Sequence, residues 1–226
     1  MSPTPSDYDR DPRRYRRGMR LTDRYSGSDL YAAIAAILDG SGARRIADVG
    51  CAEGRLRAAV PGHIGVLGLD ASQTMLRAHP PPAVAAAATA LPLRTGTLDA
   101  VVTVNTYDHL GDARPALRDA RRVLVPGGLF VAGAISRTDS PELAGFWRPV
   151  RSPFDAEDAP KLVDAVFGNV EVRRWDAPLV RLPNPAAVRD YLLTRFAAED
   201  VAAAASASVD TPLWITKRGA LVLARR

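Results

Sequence analysis

Several residue types on which protein chemistry is often built are scarce in this sequence. Its 226 residues contain one cysteine, Cys51, which excludes an intramolecular disulfide and any cysteine-built zinc site. Lysine occurs only at Lys161 and Lys217, so the positive charge is almost all arginine. No apolar run is long enough to span a membrane, and the polar, proline-bearing start lacks a signal-peptide apolar core. The expectation is therefore a soluble, cytoplasmic protein with no membrane partner. Internal repeats are absent as well.

The formal charge is +5 and the pI is near 9.8, a balance that often marks a nucleic-acid partner. Here the arginines are spread along the chain and interleaved with Asp and Glu, apart from one N-terminal cluster. With the abundance of alanine, this reads as the compositional bias of a GC-rich genome and a mixed-charge surface. No nucleic-acid partner is expected.

What is present centres on residues 44–54, RRIADVGCAEG. Ile46, Ala47 and Val49 read as a short buried strand running into a small-residue turn, Gly50-Cys51-Ala52-Glu53-Gly54. Leu56 and Ala59 then have the spacing of a helix. Strand, tight turn and helix make the first unit of a doubly wound sheet, whose turn holds nucleotide-like ligands. Glycine there permits positive φ and close approach of a ligand. The spacing is G-x-A-x-G, with Arg55 where a dinucleotide fingerprint would have its third glycine. Asp48 and Glu53 would repel a pyrophosphate and attract a cation. S-adenosyl-L-methionine, with its ammonium and sulfonium, suits an acidic turn better than NAD does.

The rest of the chain alternates strand and helix, which predicts an α/β fold with a mostly parallel sheet. Residues 1–20 read as a flexible arm, with the alternative that Tyr15 or an arginine folds over a ligand. Residues 21–226 read as a single domain. Within it, a helix is expected from about 23 to 39. A second strand over 64–69 ends at Asp70, twenty residues after Gly50, where a carboxylate can accept both ribose hydroxyls. Ser72 is placed to cap the following helix. A weak strand over 83–88, a strong one over 98–104, and a fifth over 129–135 follow. Beyond them come a long loop (136–153), a helix opened by Asp155, a sixth strand over 170–180, helices in 184–208 and a final strand. The segments around 136–153 and 183–210 read as additions on the acceptor side.

Four pieces together resemble the class I S-adenosylmethionine-dependent methyltransferases, specifically their small-molecule group: ADVGCAEG, GLDAS, ALPLRTGTLDAVVTVN and RDARRVLVPGGLFV. They cover roughly residues 40–135. The resemblance implies a Rossmann-like sheet of about seven strands, with one antiparallel strand near the C-terminus. It implies S-adenosyl-L-methionine as methyl donor, S-adenosyl-L-homocysteine as product, and no metal. Cofactor contacts are then expected from Asp48, Gly50, Cys51, Ala52 and Gly54 on the first turn. Asp70, Ala71 and Asn105 are expected to add to them. Two positions depart from the family pattern. Ala52 replaces the commoner middle glycine, and Ala87 stands where an aspartate usually holds the adenine amino group. Adenine recognition would fall to backbone at Ala88 and Thr89 and to apolar contact from Leu91.

Methyl transfer needs a nucleophile held in line and, for oxygen or nitrogen acceptors, a base. His109 follows the fourth strand on the ligand side, and histidine ordinarily titrates near neutrality; the alternative is a capping or packing residue of that loop. Tyr107 and Asp108 are further candidates. His63 and His79 are expected to face solvent. Trp147, with Phe146 and Arg148, is expected to line an acceptor pocket or to anchor its loop, and Tyr191 to line the pocket from a late helix. The residues Asn105-Thr106-Tyr107-Asp108 lack both prolines of the (D/N)PPY motif of amino-group methylases. His109, Asp108 and Asp112 do not form a repeated metal-ligand spacing. The expected partner is a small-molecule methyl acceptor, and the expected state is monomer or homodimer. The rival readings are a nucleic-acid (RNA) or protein methyltransferase and a protein that binds the cofactor without methyl transfer.

Overall fold

A computed structural model describes residues 9–226. Its centre is a seven-stranded sheet of order β3-β2-β1-β4-β5-β7-β6. The strands are β1 (Arg45–Val49), β2 (Gly65–Asp70), β3 (Ala83–Ala85), β4 (Leu98–Val104), β5 (Leu124–Ile135), β6 (Glu171–Leu182) and β7 (Leu213–Arg225). The first five strands pair in parallel, and β7 runs antiparallel to both β5 and β6. This is the mostly parallel Rossmann-like sheet expected, with one antiparallel strand near the C-terminus.

Successive side chains in the central strands point to opposite faces, and both faces are covered. Ile46, Val66, Val102 and Val131 pack with Ile34 and Leu38 of α2 (Leu30–Gly40) and Leu56 of α3 (Arg55–Ala59). Their neighbours Val49, Val101 and Phe130 pack on the other face with Leu117 of α5 (Arg114–Val123) and Val163 of α6 (Ala159–Phe167). A sheet buried on both sides needs continuous apolar strands, which is why LDAVVTV reads so clearly. α4 (Gln73–Leu76) follows β2, with the Ser72 hydroxyl accepting from Met75 N at 3.2 Å.

The chain start differs from expectation. Residues 12–20, expected within a flexible arm, belong to α1 (Pro12–Tyr25), while the arm's residues 1–8 lie outside the described residues. Asp11 caps α1 and Pro12 opens it, both favoured positions. Arginine is also a good helix former. Ion pairs fasten the helix down: Arg16 to Glu53 at 2.6 Å, Asp23 to Arg55 at 2.5 Å, and Arg17 to Asp190. Polar composition hid this helix because Leu21 is its buried side chain. The helix expected over 23–39 is thus two helices, with Asp29 capping the second.

A third apolar cluster joins Leu21 to Val180, Leu182 and Ile215 of the β6–β7 ribbon. It includes Tyr191 and Leu192 of α7 (Pro185–Leu193) and Ala202 of α8 (Glu199–Ser208). This cluster sets α1 and the end of α7 over the carboxyl end of the sheet. No helix among the described residues is long and apolar enough to cross a membrane.

Candidate active site

The strand order reverses between β1 and β4, and a crevice opens at such a switch point. On the β1 side, Gly50, Ala52 and Gly54 all have positive φ (78°, 44° and 91°). A Cβ on Gly50 would lie 2.0 Å from Thr106 Oγ1. The glycine is therefore required by the approach of the β4 loop as well as by its own backbone. The turn is pinned by Asp70, which accepts from Ala52 N and Ser72 N, each at 2.8 Å. Glu53 faces Arg16 of α1, so the acidity of this end rests on Asp48 and Asp70.

Asp48 is 3% exposed. Burial first, and then the Asp70 charge, push its carboxyl up to about 7. No basic side chain forms an ion pair with Asp48 among the described residues. An unpaired buried carboxyl keeps its proton to a higher pH instead, and Asp48, expected as a cofactor contact, lies behind the turn and does not line the cavity.

The crevice is a cavity of about 720 Å³. Gly50, Ala52, Asp70 and Ala71 form one wall, with Ala87, Ala88 and Thr89 beside them. Asn105, Asp108 and His109 rise from the end of β4, and Ser136 and Asp139 from the end of β5. Tyr15 and Met19 of α1, Trp147 and Arg148 of the long loop, and Arg195 and Phe196 after α7 complete it. His109 Nδ1 lies 3.7 Å from Asp108 Oδ2. Burial raises the Asp108 carboxyl, and the neighbouring His109 opposes that rise.

Most residues expected at the site thus meet around one cavity, but several do not. Cys51 is buried behind the turn, and the Gly68 Cβ position is only 2.8 Å from its sulfur and 2.6 Å from His79 Nε2. His79, expected in solvent, is buried there and also packs against Gly54. Gly54 therefore shapes the turn from outside the cavity wall. Leu91 sits in the core because Asp119 and Arg122 of α5 grip its backbone: Leu91 N donates to Asp119 at 2.6 Å, and its carbonyl accepts from Arg122 at 3.1 Å.

Neither predicted tyrosine lines the cavity. Tyr107 is buried edge-on to Phe154, with ring centroids 5.4 Å apart. The tight 3₁₀ turn Tyr107–His109 turns Tyr107 inward while His109 faces the cavity. Tyr191 lies wholly inside the third cluster, its hydroxyl 2.7 Å from Ser140 Oγ. The residues after it, Thr194, Arg195 and Phe196, reach the cavity instead. Sequence reasoning missed Met19, Asp139 and Arg195; only the alternative for Tyr15 hinted that α1 contributes a wall.

A family model described as "Methyltransferase domain" matches residues 47–132. An uncharacterised 37.1 kDa protein in transposon TN4556 of Streptomyces fradiae is 38% identical over 98 residues. That match spans 38% of this chain and 28% of the length of the relative. Among solved structures, a protein of Thermotoga maritima described as a S-adenosylmethionine-dependent methyltransferase, possible histamine N-methyltransferase, is 17% identical with a TM-score of 0.61. The match covers 96% of this chain and 97% of that one. The [4+2]-cyclase SpnF is likewise 17% identical with a TM-score of 0.62, over 98% of this chain and 97% of its own. Residues 47–132 thus match a methyltransferase-domain model, and the chain as a whole has the fold of the class I S-adenosylmethionine-dependent methyltransferases.

Proposed function

We propose that this protein transfers a methyl group from S-adenosyl-L-methionine to an oxygen or nitrogen atom of a small molecule. The observation that carries the reading is the single cavity in which Asp70 and the Gly50 turn share walls with His109 and the acceptor-side loop. S-adenosyl-L-methionine would supply an activated methyl carried on a sulfonium. Asp70 is placed to receive the ribose hydroxyls, and buried Asp48 with Asp70 favours the ligand's positive charge. Ala88 and Thr89 would present backbone to the adenine, with Ala87 offering no carboxylate. Asn105 lines the cavity at the end of β4.

For the acceptor, His109 is the residue to hold or remove a proton, with Asp108 beside it to orient the ring. Trp147, Tyr15 and Met19 would exclude water and set the acceptor's approach. Nothing in the reaction so described calls for a metal or a nucleic acid, and we read the protein as cytoplasmic and acting as a monomer or homodimer. Calorimetry tests the reading: S-adenosyl-L-homocysteine should bind, with NAD much weaker, and its release should accompany turnover of an acceptor.

One observation favours a second reading. A [4+2]-cyclase has this fold over nearly the whole chain length, so a bound cofactor alone does not establish transfer. Cofactor binding without any formation of S-adenosyl-L-homocysteine from the methyl donor, over a panel of hydroxyl and amine acceptors, would favour that reading.

A further inference from the structure

We infer that the acceptor bears an anionic group, a carboxylate or a phosphate, received by Arg195 and Arg148. The inference rests on reading the cavity as the methyltransferase site and names its substrate class.

Most charged residues at the acceptor end are already matched. Arg137 pairs with Asp155 at 2.7 Å and Asp158 at 2.6 Å, and reaches Glu157 at 3.4 Å. Buried Asp139 pairs with Lys217, and its second oxygen accepts from Arg218 N at 2.8 Å. Arg14 lies 3.6 Å from Asp11. Arg195 and Arg148 differ: neither forms an ion pair among the described residues, and both line the cavity.

Arg195 is half-buried, and among the described residues its Nη1 donates only to the Tyr191 carbonyl at 3.1 Å and to Thr194 Oγ1 at 3.2 Å. Its guanidinium carbon lies 3.4 Å from the Tyr191 ring centroid. That ring is itself fixed, because its hydroxyl meets Ser140 Oγ at 2.7 Å and Lys217 Nζ at 3.2 Å. Stacking on a fixed ring holds the guanidinium without neutralising it, and a partly desolvated charge without a counter-charge is unfavourable. Arg148 donates through Nε to the Ala144 carbonyl at 3.0 Å, and its terminal nitrogens hold no bond among the described residues. Guanidinium donors in a fixed planar fork match carboxylate and phosphate oxygens.

The rest of the cavity strengthens the assignment. Its opposite end carries Asp70, with buried Asp48 behind, and Asp108 stands beside His109. An anionic acceptor is repelled from Asp70 and drawn to the arginines, which fixes the direction in which it enters. Its apolar part then meets Trp147 and Phe196.

The test uses protein saturated with S-adenosyl-L-homocysteine and titrates benzoate, phenyl phosphate and benzyl alcohol by calorimetry. At least one anion should bind about tenfold or more tighter than benzyl alcohol, the scale of a charge-assisted hydrogen bond. Whichever anion binds tighter identifies the group. Arg195→Gln combined with Arg148→Gln should remove that preference, and Arg195→Lys should retain part of it. S-adenosyl-L-homocysteine affinity and the melting temperature, read in the same samples, separate loss of the subsite from loss of the fold; Arg148→Gln alone, at an exposed position, should still weaken the anion. Equal binding of the three probes, no binding of either anion, or a preference that survives the double variant would overturn the proposal. Failure of S-adenosyl-L-homocysteine to bind wild-type protein would instead overturn the reading of the cavity on which it rests.

Discussion

At one end of the cavity, Gly50, Ala52, Asp70 and Ala71 stand in turns that leave β1 and β2 directly. At the other, Ser136, Trp147 and Arg195 come from the end of β5, the long loop and the end of α7, while Tyr15 of α1 stands over the first end, close to Asp48, Glu53 and Asp70. The first end is local. Its geometry follows from a strand, a positive-φ turn and one carboxylate that bonds Ala52 N and Ser72 N. The second is assembled by packing, through the Leu21–Tyr191–Ile215 cluster. The two ends should therefore respond separately to substitution: changes at the first should act on cofactor affinity, and changes at the second on the acceptor and on turnover.

The largest expected effect lies at the junction. His109→Ala should lower turnover by about 10²–10⁴, the usual contribution of a positioned base, with cofactor affinity unchanged by calorimetry. Near-full activity in that variant would make His109 a loop residue and leave proximity to drive the reaction.

At the cofactor end, Asp70→Ala should weaken S-adenosyl-L-homocysteine by roughly 1–3 kcal/mol, the scale of hydrogen bonds to a charged acceptor. An unchanged affinity would remove Asp70 from the ligand and leave it the task of pinning Ala52 N.

Both ends were unequally legible, for physical reasons. The sheet order and the cofactor turn follow from apolar strands buried on both faces and from glycines whose spacing is set within a few residues. The exclusion of Tyr107 and Tyr191 from the cavity was not legible. An amphipathic ring near a loop can face either way, and only the Phe154 contact and the Ser140 hydroxyl decide it. The same holds for α1, whose arginine-rich surface hides a helix that depends on partners dozens of residues away. Ala87, where the family resemblance implies a carboxylate, lines the cavity.

Asp48 gives a third, pH-dependent way to sharpen the comparison. Its folded carboxyl is raised to about 7 from an ordinary value near 3.8, so the native state keeps a proton that the unfolded chain gives up. Its contribution to stability is full below about pH 4 and is lost as pH rises through 7. Urea unfolding should show wild-type protein losing stability between pH 5 and 8 relative to Asp48→Asn. Affinity for the cationic methyl donor should rise over the same interval and lose that rise in Asp48→Asn. The same pH profile in both proteins would count against a buried, raised carboxyl.

The smallest effect concerns adenine. With no carboxylate at Ala87, replacing adenine by hypoxanthine in the cofactor should change affinity by less than about 1 kcal/mol, below the typical net value of one hydrogen bond. A large loss would mean that another side chain reads the amino group.

A crystal structure with S-adenosyl-L-homocysteine bound tests the central claim most directly. The account predicts ribose hydroxyls on the Asp70 carboxylate, adenine against Ala88 and Thr89, and the sulfur facing the side of the cavity lined by His109. A ligand lying against Trp147 and Arg195, with Asp70 bonded only to Ala52 and Ser72, would contradict it.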